Sequence, residues 1–81
     1  MIERRMNMTT TIHIKLQSID EVKLFVNDLT TMPGDFDLIA GRYVIDAKSI
    51  MGIFSLDLSK PLQLKITDAR ECDIEKLKKY C

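Results

Sequence analysis

Two segments of strict apolar–polar alternation, one near each end of the chain, set the strongest limit on its fold. Ile12, Ile14 and Leu16 fall on one side of an extended backbone, with Thr11, His13 and Lys15 on the other. Leu62, Leu64 and Ile66 alternate in the same way with Gln63 and Lys65. Each segment is a half-buried strand, so the sheet they belong to needs a cover on one face. Helical periodicity supplies it. Ile19, Val22, Phe25, Val26 and Leu29 recur at three- and four-residue steps and predict an amphipathic helix. Ser18 and Glu21 have capping-box spacing at its start, and Asp20 and Glu21 suit the positive end of its dipole. Pro33 pushes its predecessor out of the helical region, so the helix should end near Thr30 or Thr31.

Residues 35–40 and 42–46 read as two strands of a hairpin joined near Gly41. Phe36, Leu38 and Ala40 can share one face; Tyr43 and Ile45 share another, with Val44 opposite. Residues 57–60 form a loop, and Pro61 stands at a strand edge, where its missing N–H matters least. Residues 68–71 open a last helix. Cys72 or Asp73, with Ile74, Leu77 and Tyr80, supplies its seam, and Lys76, Lys78 and Lys79 suit its negative end. The order is β-α-β-β-α-β-α. It predicts an α+β open-faced sandwich, a four-stranded antiparallel sheet with three helices on one face.

The stretch between the third and fourth strands carries the candidate site. Ser49 is placed to cap a short helix, its hydroxyl accepting from a backbone N–H one turn on. Ile50, Met51, Ile53 and Phe54 follow, too few residues to hold a helix alone in water. They are also more apolar side chains than one face can hide, so some of Ile50, Met51 and Phe54 should face water. An exposed apolar patch beside a modifiable hydroxyl reads as a contact site.

Composition narrows the function. The chain has 81 residues, one small domain's worth, with 12 basic and 12 acidic side chains. Zero net charge argues against nucleic-acid or anionic-membrane binding, and few aromatics argue against a base-stacking platform. Cys72 and Cys81 have no companions at metal-ligand spacing, so reduced thiols and no metal or cofactor are expected. No apolar run is long enough to span a membrane, and the polar, basic start has no signal core, so a cytoplasmic protein is expected. Residues 1–8 should form a loose tail ahead of a single domain at 9–81. Met6 and Met8 are alternative starts. One histidine offers no Ser/His/Asp or Cys/His arrangement, so an enzyme is not expected.

The string Lys48-Ser49-Ile50-Met51-Gly52 resembles the segment that opens the second helix of the HPr family. These are the small histidine-containing phosphocarriers of the bacterial sugar phosphotransferase system. The element order is that family's too, and the resemblance runs from about Thr9 to Tyr80. It implies that Ser49 is a regulatory phosphorylation site and that Lys48, Ile50, Met51 and Phe54 meet protein partners. Implied partners are Enzyme I, sugar-specific transport components, HPr kinase/phosphorylase and a catabolite transcription regulator, met by a monomer or weak dimer. The family has a smaller residue or methionine at Phe54, and glycine at Asp57 and Pro61, so the partners could differ.

The family's Gly-Ile-His-Ala-Arg-Pro-Ala type motif has no counterpart here. Its histidine falls near Ser18 and its arginine near Asp20. Phosphoryl transfer needs an imidazole nitrogen, a guanidinium to balance charge and free helix amides. The junction offers carboxylates instead, which repel a dianion. The chain therefore resembles the catabolite-repression HPr-like proteins that lack the histidine and keep the serine. The expectation is a non-catalytic regulatory or protein-binding module. The alternatives are a phosphocarrier using His13 and a structural HPr-fold domain of unrelated role.

Overall fold

The computed structural model describes residues 9–81; the expected tail at 1–8 lies outside the described residues. Four strands form one antiparallel sheet: β1 (Thr9–Ile14), β2 (Asp35–Ala40), β3 (Tyr43–Asp46) and β4 (Leu62–Thr67), in the order β1-β4-β2-β3. The last strand in sequence is therefore interior. Thr9 stands opposite Thr67 and Ile14 opposite Leu62, while Phe36 stands opposite Ile66 on the other side of β4. Central placement explains why Leu62, Leu64 and Ile66 are all buried. On the opposite face, Thr11, His13, Gln63 and Lys65 stay exposed. The sheet is covered on one side only, as the two alternating segments predict.

The hairpin corrects one expectation. Its turn holds only Gly41 and Arg42, so Ala40 faces Tyr43 and Leu38 faces Ile45. Residues directly opposite project from the same face. Tyr43 and Ile45 thus share the face of Phe36, Leu38 and Ala40 rather than another one. Gly41 takes φ +60°, the left-handed value that a tight hairpin turn needs at its first position.

Three helices cover the sheet: α1 (Ile19–Thr30), α2 (Ile50–Phe54) and α3 (Glu71–Leu77), followed by a 3₁₀ turn at Lys78–Tyr80. α1 buries Val22, Phe25, Val26 and Leu29, each worth about 1.5–3 kcal/mol of transfer free energy. Ile19 departs from the expected seam and is 63% exposed. It is the first residue of α1. In α3 the seam takes Asp73, fully buried, and leaves Cys72 outside. Arg70 makes that burial tolerable: its Nε lies 2.7 Å from Oδ2 and its Nη2 3.0 Å from Oδ1, a bidentate pair. Leu16 is buried just past the end of β1, which stops at Ile14.

The C-terminal turn is stitched in at two points. Lys15 donates its backbone N–H to the Tyr80 carbonyl (2.7 Å), and the Tyr80 hydroxyl donates to Asp28 Oδ2 on α1 (2.6 Å). The Tyr80 ring meets Phe25 edge-on with centroids 5.2 Å apart. Among the described residues no helix is long and apolar enough to cross a membrane.

Candidate functional site

The turn ahead of α2 is built by Asp46 and Ala47. The Asp46 carboxylate accepts from the Lys48 N–H (2.9 Å), and its carbonyl accepts from the Ser49 N–H (3.0 Å). Ala47 is buried, its N–H tied to the Phe36 carbonyl (2.8 Å). These bonds fix where Ser49 emerges. Its side chain is exposed, and its Oγ accepts from the Gly52 N–H (3.3 Å), the expected N-cap. A Cβ on residue 52 would stand 3.2 Å from Ser49 Oγ and 3.3 Å from Ile45, so glycine keeps this cap uncrowded.

The α2 side chains divide by face. Ile53 is fully buried and Ile50 half-buried, while Met51 is 75% and Phe54 39% exposed. Met51 and Phe54 are three residues apart, so they lie on one outward stripe. Lys48 goes elsewhere. Its ammonium donates to the Met32 carbonyl (3.0 Å) and lies 5.5 Å from the centre of the Phe36 ring. The lysine of the Lys-Ser-Ile-Met-Gly string ties the α2 turn to the end of α1 and does not project beside Met51.

The β1–α1 junction closes on itself. Ser18 Oγ accepts from the Glu21 N–H (3.1 Å), and the Ser18 carbonyl accepts from the Val22 N–H (3.1 Å). The Glu21 carboxylate reaches back to the Gln17 N–H (2.9 Å), one residue ahead of the position a standard capping box would use. The Gln17 and Glu21 amides at this helix start are thus bonded to the chain's own oxygens. Asp20 is exposed beside them.

His13 stands exposed on the open face of the sheet, across β4 from Gln63, with His13 Nε2 3.4 Å from Gln63 Nε2. It lies on the rim of an open groove of about 900 Å³ between the end of β1 and the loop before β4. Among the described residues lining that groove there is no arginine. No group of three or more His, Cys, Asp or Glu side chains among the described residues is arranged to hold a metal.

Two features had no sequence signal of their own. One is the lock of Tyr80, Asp28 and Lys79, whose Nζ lies 3.0 Å from Asp28 Oδ2. The Tyr80 hydroxyl and the Lys79 ammonium hold the Asp28 carboxyl below its usual range. Burial, then the Asp28 hydrogen bond and charge, push the Tyr80 phenol well above its usual value. The other is the groove, which exists only because β1 and β4 pair.

No family model matches the chain, and no curated protein matches it. Solved structures do. The structure described as HPr-C-His from Thermoanaerobacter tengcongensis matches with a TM-score of 0.65 and 29% identity, over 89% of this chain and 88% of that one. The phosphocarrier protein HPr from Bacillus anthracis str. Ames matches with a TM-score of 0.69 and 24% identity, over 91% and 98%. The structural neighbours are HPr phosphocarrier proteins, and the fold is their open-faced sandwich.

Proposed function

We propose that this is an HPr-like protein without phosphocarrier chemistry, a regulatory or protein-binding module that docks through Ser49 and α2. It is not an enzyme. The observation that carries this reading is the contrast between the two serine caps. At Ser18 the hydroxyl holds the Glu21 amide and the Glu21 carboxylate holds the Gln17 amide, and among the described residues lining the adjoining groove there is no guanidinium. At Ser49 an exposed hydroxyl stands beside the exposed Met51 and Phe54. Met51 suits a surface that adapts to its partner.

Phosphorylation of Ser49 would add about −1.5 to −2 charge at the edge of that apolar stripe without unfolding the domain. It would change which partners the stripe accepts. The partners are proteins of the phosphotransferase and catabolite-control kind: HPr kinase/phosphorylase, a transcription regulator or transport components. The resemblance at Lys48 to Gly52 supports this, as do the HPr neighbours. The test is incubation with HPr kinase and ATP. Acid-stable label on Ser49, absent from Ser49→Ala, is the expected result. An unlabelled wild-type protein, beside an authentic HPr that labels, removes the regulatory part.

A further inference from the structure

We propose that the groove between β1 and the 58–61 loop is a binding site for a small organic anion with an apolar body, independent of Ser49. Ile14 and Leu62 are the last residues paired between β1 and β4. Beyond them the chain leaving β1 and the chain entering β4 diverge, and the wedge between them is the groove of about 900 Å³. That is the size of a small-molecule site, and its lining has the same character, mostly apolar with a few polar groups.

Leu58, Pro61 and Ile19 supply the apolar walls, and His13, Lys15 and Lys60 supply the polar rim. This gives the 63% exposed Ile19 a surface to belong to other than the core. None of the described residues lining the groove has an acidic side chain, in a chain with 12 of them; the α-carboxylate of Cys81, which also lines it, is one charge set against two lysine ammoniums. Neither Lys15 nor Lys60 is within salt-bridge distance of a described carboxylate, although the Lys60 charge acts on Asp57. Asp57, next to the wall, is turned into its own loop: its Oδ1 accepts from the Ser59 N–H (3.1 Å) and hydroxyl (2.6 Å). An apolar cleft with cations on its rim complements a singly charged aromatic or medium-chain carboxylate or sulfonate, and binding requires no covalent step. The Met51 and Phe54 stripe lacks such a rim, since Lys48 is turned inward. A neutral apolar molecule would not distinguish the two surfaces, whereas an anionic one does.

The test is an amide-resolved NMR titration of the full chain with 2-naphthoate, beside 2-naphthalenemethanol and inorganic phosphate. Naphthoate is expected to give saturable shifts confined to residues 13–19, 58–62 and Cys81. Its affinity should fall by at least about tenfold in the double variant Lys15→Glu and Lys60→Glu. The alcohol and phosphate should each bind more weakly than the acid by a similar factor. Lys15→Gln with Lys60→Gln serves should the charge reversal perturb the spectrum globally. Equal binding of acid and alcohol, phosphate binding as well as naphthoate, shifts centred on Met51 and Phe54, or no saturable shifts would each overturn the proposal.

Discussion

Ser18 and Ser49 are both N-caps, and the neighbours of each decide what its hydroxyl is available for. Ser18 sits in a closed exchange with Glu21 and Gln17, while Ser49 has only the Gly52 amide. Both caps were legible as Ser placed three residues before a helix amide. The direction of Lys48 was not, because the Met32 carbonyl it meets comes from a different turn of the fold. Replacing Lys48 by Met should lower stability by about 1 kcal/mol through loss of that bond and of the Phe36 contact, measured by urea unfolding. A larger effect on kinase labelling than on stability would show the ammonium to be read by a partner after all. Tyr80→Phe should cost about 1 kcal/mol as well. The Asp28 carboxyl is depressed in the folded state, so its stabilisation is present above the ordinary value of 3.8 and fades as pH falls through the folded value. The Tyr80 phenol is raised, so its contribution is intact below the ordinary value of 10.0 and is lost as pH climbs above it. Unfolding free energies measured against pH should therefore flatten at both extremes in Tyr80→Phe.

Among the elements, strands and helices followed their periodicities, and the misplacements occurred where an element ends. Ile19 fits the α1 stripe by spacing yet is the helix's first residue and stays exposed. Between Cys72 and Asp73, which the α3 spacing left open, the seam took Asp73, because Arg70 one turn back neutralises it. Tyr43 and Ile45 changed face because a two-residue turn sets the register, which strand patterns alone leave open. The loops before β2 and after β4 press together as well. Gly34 has φ +110°, and a Cβ there would stand 3.0 Å from both the Thr67 and Asp68 carbonyl oxygens. Asp68 itself has φ +56°. Gly34→Ala should destabilise the domain by about 2 kcal/mol or more, seen as a lower Tm with unchanged far-ultraviolet dichroism. A neutral effect would mean that the two loops can part without cost.

For the whole molecule, the element order and the single covered face were readable from the chain, and the strand order β1-β4-β2-β3 came from the structure. That order places His13 beside Gln63 on an open face, and brings the end of β1 against the loop before β4. No sequence window joins those segments. The candidate site at Ser49 was legible because it is one continuous stretch; the groove was not, because it is assembled from separated ones. The proposed function requires an HPr-type fold whose β1–α1 junction does not accept a phosphoryl group. The most direct measurement is intact-protein mass spectrometry after incubation with phosphoenolpyruvate and Enzyme I, beside an authentic HPr. No mass gain is expected in this protein while the control gains one phosphoryl group. An acid-labile phosphoryl group on this chain that disappears in His13→Ala would contradict it.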